Sequence, residues 1–266
     1  RERSRSMENI VAEIEAAVAD GYKEFTLLGQ NVNSYGKDFG EKDAFAKLLR
    51  RVNEIPGVDR IHYMTSHPRD MSEEVIKAVA ECEHICENFH VPFQSGSTEI
   101  LRRMNRGYSR EKYLELIALI RKYVPNCTIT TDIIVGFPGE TEEDFAETMR
   151  FAEECGFAKM HIFPYSKRKG TPAEKMPNQI IEAVKEERAA RLGALDEKMF
   201  HACLEKAVGS ESEVLFEQPV DDEHIEGLIS SYQRVIVKAP VSLCGEIAKV
   251  KIVGVQEDFL VGELAE

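Results

Sequence analysis

Two periodicities divide the chain. Over the first 165 residues, apolar positions recur at helix spacing and then at strand spacing, with short turns between, as a parallel sheet with crossover helices requires. The spacing predicts a helix from Met7, with Ser6 as N-cap and Ile10, Val11, Ile14, Ala17 and Val18 along one face. A strand, YKEFTLLG, precedes a helix over Asp43 to Asn53 that Pro56 and Gly57 keep from continuing. The alternation then runs through strand RIHYMTS, a helix from Ser72 to about Glu83, strand NFHVPFQ, a helix near Thr98 to Met104 and another from Arg110 to Tyr123. TITTDIIVGF is the longest apolar strand, and Thr141 with Asp144 three residues on marks a capped helix start after it. Strand KMHIFPY closes the series.

From Asn178 to about Val208 the chain reads as one charged helix with Ile181, Val184, Ala189, Leu192, Leu195 and Phe200 as its apolar stripe. Beyond Gly209 the period falls to two, and five short strands with glycines in or between them predict a small closed barrel of the oligonucleotide-binding kind. The expected fold class is therefore α/β, a partial (β/α) TIM-like barrel followed by a small all-β barrel. The expected division is 1–175 barrel, 176–208 connecting helix and 209–266 β-barrel.

A chain of 266 residues with 43% apolar content can bury a large core. No run approaches the roughly 18 to 20 apolar residues of a membrane helix, so a soluble, cytoplasmic protein without membrane contact is expected. Six scattered cysteines, Cys82, Cys86, Cys127, Cys155, Cys203 and Cys244, are expected as reduced thiols, since a chain of this size needs no disulfide staples. A net charge of −13 excludes bulk attraction to nucleic acid. From Glu211 onward four cations face twelve acids, so RNA contact there would rest on those cations and on stacking by Tyr232 or Phe259.

Polar residues follow each strand of the first part: GQN, TSHPRD, QSGS, GFPGE and PYSKRKGT. The first of these loops, within TLLGQNVNSYG, reads as polar and is expected to bury almost nothing. In a parallel barrel the loops at the strands' C-terminal ends share one mouth, so five loops are expected to converge. Any one of them could be only a turn. There is no glycine-rich phosphate loop and no pair of carboxylates framing a mouth, which argues against a phosphate-binding barrel enzyme.

In order and spacing, RERSR, TLLGQNVNSYG, MTSHPRDM, HVPFQSGS, MNRGYSREKY and TTDIIVGFPGETEEDF resemble the radical S-adenosylmethionine methylthiotransferases that modify the adenosine at position 37 of tRNA. GQNVNSYG is similar to the branch acting on dimethylallyl adenosine. HIFPYSKRKGTPAEKM, EVLFEQ and GEIAKVKI look more like the branch acting on threonylcarbamoyl adenosine. The resemblance implies S-adenosylmethionine and two 4Fe-4S clusters as cofactors, and the tRNA anticodon stem-loop and an electron donor as partners. It also implies a C-terminal TRAM barrel that grips tRNA. The family's Cys-x3-Cys-x2-Cys loop would lie upstream of Arg1, so this chain is expected to be a fragment with no metal ligand of its own. Cys82 and Cys86 have the spacing of the first two ligands, but no third cysteine stands near.

Carried over residue by residue, the resemblance sets Gln30 and Asn31 beside the cofactor's methionine ammonium, which amide oxygens can accept. Gln94 and Ser95 would meet the ribose or the methionine end, and Arg106 the carboxylate as a two-pronged fork. Asp132 and the segment ending at Gly136 would hold adenine. Tyr35, Ser66 and His67 would line the mouth, while Lys167 and Arg168, with Lys169, Arg1, Arg3 and Arg5, would suit tRNA phosphate. No catalytic residue is assigned. The alternative from another class is a cluster-free RNA-binding scaffold.

Overall fold

The computed structural model describes residues 3–64 and 66–265. It divides into two compact units, Arg1–Asp196 and Glu197–Glu266.

The first unit is built on five parallel strands. β1 (Glu24–Leu27) pairs with β2 (Arg60–Tyr63), and β3 (Asn88–His90), β4 (Thr128–Val135) and β5 (Lys159–Pro164) form a second ladder. The stretch before β3 joins the two ladders: Ile61 N–H donates to the His84 carbonyl at 2.7 Å, and Cys86 N–H donates to the Ile61 carbonyl at 3.0 Å. β3 is shorter than NFHVPFQ suggests because Pro92 has no N–H for the ladder. Pairing resumes at Gln94, whose N–H reaches the Asp132 carbonyl at 2.8 Å and whose own carbonyl accepts from Ile134 at 3.0 Å.

Six helices, α1 (Met7–Ala19), α2 (Ala44–Asn53), α3 (Glu73–Glu81), α4 (Thr98–Arg103), α5 (Arg110–Tyr123) and α6 (Glu142–Cys155), alternate with these strands. Their starts are written in the sequence: the side chains of Ser6, Ser72, Ser97, Ser109 and Thr141 each accept a first-turn N–H, and Thr141 with Asp144 completes a reciprocal capping box. Ile129, Thr131, Ile133 and Val135 of β4 point one way and are buried, as is Phe93, which stacks on Phe151 at 4.5 Å beside Tyr113 and Phe157. Thr130, Asp132 and Ile134 point the other way and are half-buried.

α7 (Glu182–Ala207) begins four residues later than the pattern suggests. Asn178 takes a left-handed backbone, φ 58°, and gives its carbonyl to the Gly139 N–H at 2.8 Å, so the preceding residues form a turn tied to the β4 loop. The N-terminal half of α7 packs on the first unit through Leu192 and Asp196, the latter accepting the Met160 N–H at 2.6 Å. Leu204, Phe200 and Ala207 pack in the second unit.

That second unit is a closed barrel in the order β10-β8-β7-β6-β9, formed by β6 (Glu211–Pro219), β7 (His224–Ile229), β8 (Arg234–Lys238), β9 (Ile247–Gln256) and β10 (Phe259–Leu264). Closure removes both sheet edges. Alternate residues fill the interior: Val214, Phe216, Ile225, Val235, Val237, Val250, Ile252 and Leu260 are essentially inaccessible. Gly227 is required there, because a Cβ would lie 2.1 Å from the Leu215 carbonyl oxygen. Among the described residues, no helix is long and apolar enough to cross a membrane.

Candidate functional site

Three of the strand-end loops are tied together around His67. After β1, the loop does not behave as a polar surface segment: Val32, Asn33 and Ser34 form a 3₁₀ turn and are buried. Asn33 and His67 exchange hydrogen bonds, Nδ2 to the His67 carbonyl at 3.1 Å and His67 N–H to Oδ1 at 3.0 Å. Asn31 Nδ2 donates to Asp70 at 2.6 Å, and Lys37 donates to the other oxygen of that carboxylate at 2.5 Å. The His67 ring packs edge-on against Tyr108, whose hydroxyl donates to the carbonyls of Pro92 and Phe93 beyond β3. One chain of contacts thus links the loops after β1, β2 and β3. Thr65 lies outside the described residues.

Electrostatics follow from this packing. Burial pulls the His67 imidazole below its ordinary range, and Arg69, Arg106 and Lys37 reinforce the shift against Asp70, so the ring is a neutral donor-acceptor near neutral pH. For Asp70, burial disfavours the charge, but Lys37 and Asn31 more than offset it and hold the carboxyl below its usual value.

Three buried polar atoms at this cluster have no partner among the described residues: Asn31 Oδ1, Ser66 Oγ and Arg106 Nε. A buried polar atom left unpaired costs about 1–3 kcal/mol, so three on neighbouring loops mark a place built for a polar ligand. They offer an acceptor, a hydroxyl and a cationic donor, the complement of an amino acid's ammonium and carboxylate. A methionine-bearing cofactor fits this donor set.

The other expected residues fall in different places. Gln30 is exposed beside the cluster. Gln94 is buried in a left-handed backbone, φ 74°, held by its pairing to β4. Ser95 is fully buried behind its loop, with its hydroxyl 3.5 Å from Thr148 of α6. Gly136, φ 72°, gives its absent side-chain space to Lys185, since a Cβ there would lie 2.4 Å from Lys185 Cγ. Tyr35 follows the 3₁₀ turn and meets the Phe39 ring edge-on at 6.3 Å. It lines an open groove of about 380 Å³ between α1 and β1 with Arg5, Phe25 and Val32. Arg5 pairs there with Glu13, and Arg1 lies outside the described residues. Lys167, Arg168 and Lys169 are exposed after β5.

Sequence reasoning did not single out what closes the loops after β4 and β5. Glu140 and Arg188, both buried, pair at 2.7 Å, and Glu140 also accepts the Gly136 N–H at 2.7 Å. Lys185 Nζ donates to the Tyr165 carbonyl at 2.9 Å, and Phe137 meets the Tyr165 ring edge-on. All three charges look like solvated helix or turn residues in the sequence.

The six cysteines do not gather. Burial pushes the Cys86, Cys127 and Cys155 thiols up to about 12, so they are protonated and poor ligands.

The radical SAM superfamily profile matches residues 1–152, and the TRAM domain profile matches residues 205–265. The chain belongs to the radical SAM superfamily. Among curated relatives, the tRNA-2-methylthio-N(6)-dimethylallyladenosine synthase of Clostridium perfringens is 48% identical over 100% of this chain and 60% of its own length. The protein of the same name from Acetivibrio thermocellus is 46% identical over 99% of this chain and 55% of its own. The chain therefore spans somewhat over half the length of the relatives it matches. Among solved structures, the radical S-adenosylmethionine methyltransferase TsrM from Kitasatospora setae aligns with a TM-score of 0.51 at 18% identity, over 64% of this chain and 33% of that one. Coproporphyrinogen III oxidase from Escherichia coli aligns with a TM-score of 0.50 at 13% identity, over 86% and 59%. These two likenesses concern the fold.

Proposed function

We propose that this chain is the barrel and TRAM portion of a methylthiotransferase acting at carbon 2 of the dimethylallyl adenosine at position 37 of tRNA. The observation that carries this reading is the 48% identity, spread over the entire chain, to a relative named for that product. It also favours the dimethylallyl over the threonylcarbamoyl substrate.

When bound, S-adenosylmethionine would supply the radical and the methyl group that such a reaction needs. The protein's own part is to bind, orient and keep dry. Asn31 Oδ1 would accept from the methionine ammonium, Arg106 would donate to the carboxylate and Ser66 would add a hydroxyl, with exposed Gln30 beside them. Asp132 and Gln94 would flank the nucleoside end, with Ser95 positioning its loop through Thr148, while Lys185 occupies the side-chain space at Gly136. Neutral His67 holds the loops after β1 and β3 together without placing a charge beside the sulfonium. Among the described residues, no three cysteines converge to hold a cluster. An external donor supplies the electron, in the cytoplasm.

For the anticodon stem-loop, the exposed Lys167, Arg168 and Lys169 are the phosphate contacts on an otherwise acidic chain. Nucleoside mass spectrometry of tRNA from a deletion strain tests the reaction. Loss of methylthio-dimethylallyl adenosine, with its unthiolated precursor accumulating, is expected. Loss of only the threonylcarbamoyl derivative, or an unchanged profile, would overturn the assignment.

A further inference from the structure

The half-buried face of the β3-β4-β5 sheet carries a group of which the cofactor reading uses Asp132 alone. His90 is in register with Thr130, and Asp132 with His161. Because Thr130 and Asp132 share a face at period two, the side chains of His90, Asp132 and His161 stand on that same face, one from each of three adjacent strands. Their ligand atoms all lie within 4.8 Å of one another, and among the described residues this is the one such cluster.

The details suit a cation better than a hydrogen-bond network. His90 Nδ1 is engaged by the Thr130 hydroxyl at 3.0 Å, which fixes the ring and aims Nε2 at the Asp132 carboxylate. That Nε2 to Oδ1 distance is 3.5 Å, long for a hydrogen bond. It is close to the ligand-to-ligand edge of about 3.3 Å that metal bonds of 2.0–2.1 Å give in a tetrahedron. In the tautomer that donates Nδ1–H to Thr130, a lone pair on Nε2 faces the carboxylate, an arrangement that an ion between them relieves. His161 is exposed and packs its ring 5.8 Å from that of His90, its imidazole making no hydrogen bond among the described residues. A hydroxyl orienting one imidazole is the outer support that metal sites use.

We propose that His90, Asp132 and His161 bind one divalent first-row transition-metal ion, with Thr130 orienting His90. Two imidazoles and one carboxylate are the donor set of zinc and non-haem iron(II) sites that keep coordination positions open, so the ion takes a further oxygen or sulfur ligand from the solvent-facing side. The inference stands apart from the tRNA reading, although Asp132 faces both sites.

Calorimetric titration of the 266-residue chain with Zn²⁺, without adenosylmethionine or tRNA, tests it. One ion per chain is expected, with His161→Ala and Asp132→Asn each weakening it by about 100-fold or more and Thr130→Val by about 10-fold. His161→Ala removes an exposed ring, and an unchanged melting temperature without metal shows that its fold is intact. Co²⁺ is expected to give weak visible bands that His161→Ala abolishes. No binding, equal affinity in His161→Ala, or an intense near-ultraviolet thiolate band that survives the substitution would each overturn the proposal. Any of these results would leave the methylthiotransferase reading standing, since that is decided by tRNA nucleosides.

Discussion

Polar side chains are used in opposite ways by the two units. In the first, they leave the surface and meet across loops: Asn33 with His67, Asn31 with Asp70, and Arg188 with Glu140. In the small barrel, charges stay in solvent and pair across neighbouring strands, Arg234 with Glu226 on the diagonal and Lys238 with Glu223. A buried polar atom must find a partner or cost free energy, whereas an exposed one already has water. The unpaired atoms of Asn31, Ser66 and Arg106 therefore carry information about a ligand, and the many acids of the β-barrel carry little. Two of the barrel's four cations are also already matched to acids, which leaves less positive charge for phosphate than the sequence count suggests.

The largest expected effects test whether the two cores are separate. Phe93→Ala and Phe216→Ala each remove a fully buried ring and are expected to cost about 3–5 kcal/mol. Denaturant unfolding followed by limited proteolysis should show each loss confined to its own unit. A shared transition would show that the two cores are coupled.

Arg188→Met comes next, at about 3 kcal/mol, because it strands the Glu140 carboxylate in the interior. In the wild type, burial already raises Glu140 above the ordinary glutamate value, against the opposing pull of the Gly136 N–H and Arg188. A raised folded value means that the folded state holds the proton more tightly. Stability from this group is thus present at low pH and lost as pH rises through the raised value. The variant widens that gap, so its deficit against wild type should be greatest near neutral pH and shrink on acidification. A deficit constant with pH would remove Glu140 as its cause.

Binding substitutions should be smaller in energy but sharper in meaning. In the complete protein, Arg106→Gln and Asn31→Leu are expected to weaken adenosylmethionine about 10- to 100-fold, and Ser66→Ala less, following the 1.5–3 kcal/mol of a charged hydrogen bond. Equilibrium dialysis with labelled cofactor reads this directly, and unchanged affinity in all three would take the His67 cluster out of the site. The smallest effect belongs to the β-barrel surface: Arg234→Ala should change stability by no more than about 1 kcal/mol, since water and salt screen the exposed Arg234 end of the pair. A thermal melt shifted by more would mean that the barrel's surface charges matter more to its fold than the comparison allows.

Most elements were legible in the chain because their signals are local. Serine or threonine caps, the Thr141 capping box and the change of period at Gly209 need only neighbouring residues, and the structure places helices and the closed barrel where they indicate. The misses came where distant segments decide. The loop after β1 reads as polar yet is buried, because the loops after β2 and β3 supply partners for Asn33. The glycine at 136 reads as room for a base, yet Lys185 from a helix some fifty residues on fills that room. Ser95 reads as a partner for the cofactor's ribose or methionine end and lies behind its loop against α6.

By itself, then, the order of amino acids determined the two architectures and the set of chemical groups available at the strand ends, since these follow from period, caps and turns within a few residues. Only the tertiary structure decided which of those groups meet, which remain unpaired, and that His90, Asp132 and His161 share one face. Pairing register and the packing of a helix onto a loop are set by contacts between residues far apart in the chain, and no local pattern encodes them.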